Sequence, residues 1–503
     1  MLYQSTRGDK ERLSGAGAIV HGLSSDGGLL VPESIPHISI EAISELVSKP
    51  YYERAAHIMG LFLGDFESDE LTRYSKTAYS EPGFYHAAIA PLYKLDNKTH
   101  FMELWHGATC AFKDIALQVM PHLLTASLRK TGEERDVCIL VATSGDTGKA
   151  ALEGFRDVPG IKIMVFYPRD GVSEVQKLQM TSQRGDNVNV AGTQGNFDDA
   201  QTGVKAIFSD KELCAKLNSG GYILSSANSI NWGRLVPQVA YYFSAYCDLL
   251  GSGEIKPGEK INFCVPTGNF GNILSAYYAL KMGLPIAKLI CASNRNDVLT
   301  QFINTGVYDK NRMFYTTVSP SMDILVSSNL ERLLFELSDK DGGAVASYMS
   351  ALSLSGSYEV PSPVHDNIND IFASGFCSEE DTLKTIADTF SDSGYLIDTH
   401  TAVAYKALLD YRKTTGDNSA AVVVSTASAF KFCESVLEAL GHSYTAGGVA
   451  LIDTLSDITG CPVPAPLAGL KSLTPRFPGS IGTDEMKSAV TDFLFCGNKV
   501  GRR

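Results

Sequence analysis

The residue with the clearest potential for covalent chemistry is Lys113, which lies between Phe112 and Asp114 before a helical pattern at 115–128. The positive end of a helix dipole disfavours the ammonium form of a lysine placed there. If burial also removes water, the lysine pKa falls and a free amine becomes available for Schiff-base chemistry. A solvated surface lysine is the alternative, because most lysines are exposed.

A glycine-rich loop follows an apolar run at 261–266 and consists of Gly268, Asn269, Phe270, Gly271 and Asn272. Glycines allow a ligand close to the backbone, and the N–H groups of a following helix suit a phosphate. The loop is neither a P-loop nor a G-x-G-x-x-G motif. An ordinary strand-to-helix turn is therefore the alternative.

A second loop follows an apolar run at 136–142 and contains Thr143, Ser144, Gly145, Asp146 and Thr147. Its hydroxyl and amide groups suit a carboxylate ligand. The alternative is a simple helix cap, because Thr and Asp are common capping residues.

A third loop is polar, carries little charge and includes Asn228, Ser229 and Arg234. A single arginine beside amide and hydroxyl groups can hold a phosphate. By itself, the same pattern is also typical of a surface loop.

The elements that carry these loops alternate between strand and helix from about residue 98. Strands are predicted at 136–142, 161–167, 188–191, 261–266, 288–292 and 421–425, and helices at 40–47, 52–63, 115–128, 149–155, 174–183 and 198–208, with another ending at 281. Mostly apolar strands in this alternation indicate parallel sheets covered by helices. Ligands of such sheets bind at the carboxyl ends of the strands, where the glycine-containing loops at 143–147 and 268–272 lie.

The chain divides in this interpretation into an N-terminal α/β domain at 1–97 and a catalytic region at 98–503, which consists of two α/β subdomains. Asp26, Gly27 and Gly28 predict a short hairpin in the first domain. The strand signal fades between about 310 and 395, which predicts a helical insertion.

The composition limits the functional classes. The chain has 503 residues, with 43 Lys and Arg against 56 Asp and Glu, and its net charge of −13 argues against non-specific binding to nucleic acid or anionic membranes. No signal pattern or membrane-spanning run is present. The ten scattered cysteines are typical of a reduced, cytoplasmic protein, and no zinc-site spacing occurs.

Taken in order, the segments 5–8, 26–29, 106–114, 143–147, 228–234, 268–272 and 425–427 resemble the threonine synthase family, in its longer bacterial and fungal form. The resemblance covers nearly the whole chain. It implies the α/β architecture of pyridoxal-phosphate enzymes of fold type II (tryptophan synthase β-like), with mostly parallel sheets covered by helices and a small N-terminal α/β domain.

The resemblance also implies roles for the residues of the loops. Lys113 would bind pyridoxal 5′-phosphate and act as the catalytic residue. Asp146 and Thr426 would face the cofactor's 3′-oxygen and pyridine nitrogen. The cofactor phosphate would be held by Gly268, Asn269, Phe270, Gly271 and Asn272, the substrate carboxylate by Thr143, Ser144, Gly145 and Thr147, and the substrate phosphate by Asn228, Ser229 and Arg234.

The implied reaction is that of a lyase, which converts O-phospho-L-homoserine and water to L-threonine and phosphate in threonine biosynthesis. The partners would be this small molecule and, at most, a second copy of the chain, as a monomer or homodimer. His106 and His400 are predicted to support the site rather than to act in catalysis.

The chain departs from the family pattern at Ser428, Ala429 and Phe430, where many relatives have His-Pro-Ala, and at Thr399, where a proline is usual. The first departure leaves open a lyase that releases 2-oxobutyrate from the same substrate. The pattern is also compatible with a serine/threonine deaminase or with a non-catalytic binding protein.

Overall fold

Two parallel sheets organise the computed structural model, which describes residues 1–169, 172–195, 197–445 and 447–496. The larger sheet has the strand order β13-β10-β9-β14-β4-β3, and the smaller has the order β15-β7-β6-β5-β8. All neighbouring strands in both sheets are parallel except β3 and β4. The strands are β1 (Tyr3–Ser5), β2 (Leu30–Pro32), β3 (Leu92–Lys94), β4 (Thr99–Glu103), β5 (Asp136–Ala142), β6 (Ile161–Pro168), β7 (Val188–Thr193), β8 (Tyr222–Ser225), β9 (Ile261–Pro266), β10 (Ile286–Ser293), β11 (Val307–Asp309), β12 (Ser357–Glu359), β13 (Phe372–Phe376), β14 (Ala421–Ser425) and β15 (Ser480–Ile481).

Helices cover the sheets and connect most of the parallel strands, as parallel topology requires. They are α1 (Gly15–His21), α2 (Ile40–Glu45), α3 (Tyr51–Phe62), α4 (Ser68–Ala78), α5 (Lys113–Thr131), α6 (Asp146–Gly154), α7 (Glu174–Thr181), α8 (Phe197–Ser209), α9 (Lys211–Ser219), α10 (Trp232–Gly251), α11 (Gly271–Lys281), α12 (Val298–Thr305), α13 (Leu330–Leu337), α14 (Gly342–Leu354), α15 (Ser362–Ile371), α16 (Glu379–Ser393), α17 (Thr399–Thr415), α18 (Cys433–Ala439), α19 (Leu451–Thr459), α20 (Ala465–Ala468) and α21 (Met486–Phe495).

The first part of the chain contributes helices to the main core. Strand β1 pairs with β2 in an antiparallel two-stranded sheet, and helix α3 packs against α10. The predicted turn at 26–28 is present, and Leu23 and Leu29 form a bridge across it. The region predicted as helical at 310–395 contains α13 to α16, and it also supplies β13, the edge strand of the larger sheet.

The core lies between the sheets and the helices that cover both of their faces. Strands β5, β6, β7, β9 and β14 have almost no exposed residues. Helix α10 is buried along nearly its whole length, between α3, α5 and α11. Across the described part of the chain, no helix is both long and apolar enough to cross a membrane. All ten cysteines are free thiols, and none forms a disulfide bond.

The loops that follow five strands meet in one place. They begin at the carboxyl ends of β4, β5, β8, β9 and β14, and all five contribute to the walls of one cleft. This is the edge at which parallel α/β sheets bind ligands.

Candidate active site

Lys113 is the first residue of helix α5, and its side chain reaches into the cleft. Burial lowers the pKa of Lys113 to about 8, and repulsion by Arg234 and Lys431 acts in the same direction. Attraction by Asp146, whose Oδ2 is 3.5 Å from Nζ, opposes this decrease. With a pKa of about 8, a minority of the lysine is free amine near neutral pH, which is far more than for an exposed lysine, and Schiff-base chemistry uses this form.

Asp146 is buried at the start of helix α6 and contacts two lysines. Its Oδ1 lies 2.6 Å from Lys431 Nζ and also accepts a hydrogen bond from Gln176 Nε2 at 2.7 Å. Burial alone would raise the Asp146 pKa, but Lys431 and Lys113 outweigh it and hold the pKa well below the ordinary range. Asp146 is therefore a fixed negative charge beside the reactive lysine.

The loop between β9 and α11 presents donors to the cleft. Phe270 adopts a left-handed conformation with φ 62°, and helix α11 begins at the next residue. The first N–H groups of a helix lack partners within it and favour an anion. A Cβ on Gly268 would lie 2.6 Å from Ser321 O, so only glycine fits there without displacement.

Asn272 lines the cleft at the start of α11, and the oxygen of its amide is already bonded. Its Oδ1 accepts hydrogen bonds from the hydroxyls of Tyr241 and Tyr242, both at 2.6 Å. The Nδ2 group is buried and has no partner within the described chain. An unpaired buried donor beside a helix N-terminus is suited to a phosphate.

Arg234 supplies the other strong donor in the cleft. Its side chain is buried and donates from Nη1 to Ala227 O at 2.6 Å, while Nε has no partner among the described residues. Burial lowers the Arg234 pKa to about 10, which leaves the guanidinium charged. No carboxylate of the described residues forms an ion pair with it, so this buried cation is prepared to receive an anion.

Asn228 and Ser229 line the cleft beside Arg234, as their sequence spacing predicts. Ser229 Oγ accepts a hydrogen bond from Asn329 Nδ2 at 2.9 Å. The same Asn329 amide donates to Asn269 O at 3.0 Å, so one side chain connects the two predicted phosphate loops. Sequence reasoning missed Asn329, because it lies far from both loops along the chain.

The loop at 143–147 is only partly exposed to the cleft. Asp146 and Thr147 line it, whereas Thr143, Ser144 and Gly145 are not among the lining residues. The Thr143 hydroxyl accepts hydrogen bonds from the N–H groups of Gly145 and Gly148, at 3.0 and 2.9 Å, and thereby holds the turn. The substrate-carboxylate role of these residues stays a prediction.

Thr426 lies directly after β14 and lines the cleft. Its carbonyl accepts a hydrogen bond from Phe112 N at 2.8 Å, which fixes it against the Lys113 segment. The departure at Ser428 to Phe430 lies outside the cleft wall. Ser428 instead accepts a hydrogen bond from Phe430 N and caps the short 3-10 helix Ala429–Lys431.

His400 and His106 differ in position. His400 lines the cleft, with Nδ1 2.9 Å from Asp398 Oδ1 and Nε2 accepting from Ser321 N at 3.2 Å. It thus joins helix α17 to the segment that covers Gly268. His106 is not a lining residue, and its Nε2 contacts Glu103 Oε2 at 2.7 Å.

Asp114 supports the loop that precedes Lys113. It accepts hydrogen bonds from the N–H and the hydroxyl of Thr109, both at 2.8 Å. Burial raises its pKa to about 6, although the Thr109 bonds oppose this increase. Its carboxyl group is therefore committed to loop structure.

Comparison with known protein families assigns the fold and the site to a class. Residues 85–427 match the family described as pyridoxal-phosphate dependent enzyme, residues 2–79 match the threonine synthase N terminus, and residues 401–477 match the threonine synthase C-terminal family. Together with the two helix-covered parallel sheets, these matches define a pyridoxal-phosphate-dependent enzyme of fold type II.

Individual relatives give the family within this class. The threonine synthase of Pseudomonas aeruginosa is 42% identical over 440 residues, which are 87% of this chain and 90% of that protein. The human protein threonine synthase-like 1 is 42% identical over 433 residues, 84% of this chain and 57% of its own length. The crystal structure of pyridoxal-phosphate-bound threonine synthase from Brucella melitensis covers 98% of both chains, with 36% identity and a TM-score of 0.86. The chain belongs to the threonine synthase family.

The cleft fits the cofactor of this class. Its wall contains the lysine amine of lowered pKa, and the start of α11 with the unpaired Asn272 amide has donors suited to a phosphate. Asp146 and Thr426 line the same cleft. The resemblance seen in the sequence is thus confirmed for the family, the fold and the cofactor, and the roles of single residues remain predictions.

Proposed function

We propose that the chain converts O-phospho-L-homoserine and water to L-threonine and phosphate. The observation that carries the proposal is the buried Arg234 guanidinium, which shares a cleft with the low-pKa Lys113 and has no carboxylate partner among the described residues. Lys113 can act on an amino acid that is bound to the cofactor, and Arg234 can hold an anionic group of the same substrate. A substrate that carries both an amino group and a phosphate satisfies both.

The side chains divide the work. When bound, the cofactor makes the substrate hydrogens near the amino group acidic and accepts the electron pair left by proton removal. Lys113 Nζ can accept these protons and return them, because its pKa lies near the working pH. Asp146, with Oδ2 3.5 Å from Nζ, stabilises the ammonium that each transfer produces.

The phosphate site has two tasks in this proposal. Arg234, with Asn228 and Ser229, would hold the substrate phosphate and stabilise its charge as it leaves the γ-carbon with the electron pair of the C–O bond. The buried donors would also exclude homoserine, since they would stay unpaired without a phosphate. Water then adds at the β-carbon to give threonine.

Product analysis tests this proposal. The purified, cofactor-loaded chain is given phosphohomoserine or homoserine, and threonine, 2-oxobutyrate and phosphate are measured. We expect threonine and phosphate in equal amounts from phosphohomoserine and almost no turnover of homoserine. Release of 2-oxobutyrate as the main product would instead assign a lyase or deaminase, and equal turnover of both substrates would contradict the phosphate site.

A further inference from the structure

Lys431 is a fully buried lysine that does not line the cleft. It ends the short 3-10 helix after β14, and its exposed fraction is 0%. Its Nζ lies 2.6 Å from Asp146 Oδ1 and donates to Thr109 O at 2.8 Å. Because burying an ammonium is unfavourable without strong partners, this position needs a reason beyond packing.

The contacts of Asp146 supply that reason. One of its oxygens binds Lys431 and Gln176, and the other faces Lys113 at 3.5 Å. A single carboxylate is therefore shared by two buried lysines, and its closer contact is with the lysine outside the cleft.

Lys431 acts on Lys113 in two ways that favour the same protonation state. Its positive charge repels the Lys113 ammonium through a region of low polarity. Its contact with Asp146 Oδ1 also compensates part of the carboxylate charge, which weakens the attraction of Asp146 for the Lys113 ammonium. Both effects agree with the lowered pKa of Lys113, for which burial is the largest cause and repulsion by Arg234 and Lys431 contributes.

We propose that Lys431 is a positioning residue, which balances the charge of Asp146 so that a larger fraction of Lys113 is free amine near neutral pH and can bind the cofactor. This inference rests on the role of Lys113 in the proposed function. The charged or titratable groups around Lys113 are Asp114 on its own helix, Asp146 on α6, Arg234 on α10, His400 in the cleft wall and Lys431.

The test is the pH dependence of cofactor uptake by the full-length, cofactor-free chain. Pyridoxal 5′-phosphate is added at a series of pH values, and the absorbance of the lysine-bound cofactor is followed in time. Only the free amine reacts, so the uptake rate rises as pH increases through the Lys113 pKa of about 8. In Lys431→Met, the midpoint of this increase should move upward by roughly one pH unit.

Two further variants make the charge argument decisive. Asp146→Asn leaves the Lys431 charge uncompensated, so the repulsion of the Lys113 ammonium becomes stronger. The midpoint of uptake in this variant should therefore lie below that of the unmodified chain. The double variant Lys431→Met/Asp146→Asn removes both charges, and its midpoint should return close to the original value. The double variant leaves no unpaired charge of this pair buried, so it should fold even if Lys431→Met does not. In that case the double variant replaces Lys431→Met in the test, and the midpoint of its uptake curve must lie above that of Asp146→Asn.

Two control variants distinguish an effect of the Lys431 charge from an effect of structural damage. Lys431→Arg keeps the charge and should keep the midpoint. Lys149→Met removes another partly buried lysine, paired with Glu153 on α6, and should leave the midpoint unchanged. An unshifted midpoint in Lys431→Met, or an equal shift in Lys149→Met, would overturn the inference.

Cofactor uptake needs no substrate, so it is independent of the product assay. A chain that forms 2-oxobutyrate would refute the proposed function and leave the Lys431 result intact. Lys113→Ala should show no lysine-bound absorbance at any pH. If it retained that absorbance, the role of Lys113 and the inference about Lys431 would both fail.

Discussion

Arg234 and Lys113 are cations in one buried cleft, and each depends on a different anion. Lys113 has Asp146 nearby, whereas Arg234 donates to the Ala227 carbonyl and forms no ion pair with a carboxylate of the described residues. Burial lowers the pKa of Arg234, and Tyr241 and Asp114 oppose this decrease. A charge buried without a partner destabilises a protein unless a ligand completes it. The charge distribution of the free chain thus indicates where an anionic substrate group binds.

Replacement of Arg234 tests this interpretation at the substrate level. In Arg234→Ala, the KM for phosphohomoserine should rise on the order of 10- to 100-fold, because a charged hydrogen-bond partner is lost. Arg234→Lys should be intermediate, since it keeps the charge and loses the planar fork. The affinity for pyridoxal phosphate, measured by absorbance titration, should change little. A parallel loss of cofactor affinity would place Arg234 in the cofactor site instead.

The tyrosine pair beside Asn272 gives a second prediction. Tyr241→Phe/Tyr242→Phe removes both donors to Asn272 Oδ1, so these bonds no longer fix the orientation of the amide or the position of its unpaired Nδ2. The dissociation constant for pyridoxal phosphate should increase roughly 3- to 30-fold. Tyr246→Phe, on the same helix but bonded to Glu259 O, is the matched control. Equal effects of the two changes would show that the phenols act only through packing.

Among the elements, helices α5 and α6 must approach closely, since one carries Lys113 and the other Asp146. Gly154 at the end of α6 makes this approach possible: a Cβ there would lie 2.0 Å from Leu117 O on α5. The atom that it would meet is part of the backbone of a long helix, so it cannot move aside without moving the helix.

Gly154→Ala should therefore separate the two helices and destabilise the fold by about 1–3 kcal/mol. Urea unfolding measures this loss, and the same variant should bind pyridoxal phosphate more weakly. Gly469→Ala is the control, because that glycine has φ −84° and no neighbour within 4 Å of an added Cβ. If both variants unfolded at the same urea concentration, the close approach would be unimportant.

The elements also show what sequence can predict. Strands β5, β9 and β14 match their predicted bounds to the residue, and β6, β7 and β10 lie within two residues of theirs. These strands are apolar runs between clear turn signals, so local pattern determines them. Helix α10 was not predicted: nearly all of its residues are buried, and Pro237 lies inside it, which weakens the local helix signal.

In the site, too, local sequence predicts some features and not others. The loops with Lys113, Gly268 and Arg234 could be found, because each contains residue types suited to binding an anion or to covalent chemistry, although only the Gly268 loop follows a predicted strand. The supporting contacts could not: Lys431 with Asp146 and Asn329 with Ser229 join segments far apart in the chain. Such pairs exist only after the sheets have formed, and a single sequence contains no local signal for them.

Across the whole molecule, helix α13 connects the N-terminal segment (residues 1–97) with the loop of Asn228 and Ser229, which is called the substrate loop because it is proposed to hold the substrate phosphate. Arg332 is fully buried and donates to the carbonyls of Leu30, Ser229 and Ile230. It also donates to the amide oxygen of Asn329, the residue that joins the two phosphate loops. The first strands therefore help to hold the proposed substrate site in place.

An ion pair strengthens the same connection. Arg7 binds the carboxylate of Glu331 through Nε and Nη2, both at 2.8 Å, and the Thr6 hydroxyl donates to Glu331 Oε1 at 2.6 Å. Glu331 directly precedes Arg332, so this contact fixes α13 against the N-terminal segment. Bidentate arginine–carboxylate pairs hold geometry as well as charge.

Arg7→Ala should therefore lower the free energy of unfolding by about 1–3 kcal/mol, because Glu331 stays buried with fewer partners. Since α13 also supports Ser229, the KM for phosphohomoserine should rise severalfold while cofactor affinity is kept. The matched control is Arg12→Ala, whose exposed pair with Glu33 lies within the N-terminal segment and should contribute less than about 1 kcal/mol. Urea unfolding and steady-state kinetics measure the two effects. If Arg7→Ala lost stability without any change in KM, the N-terminal segment would serve folding alone, and the connection to the substrate loop would be ruled out.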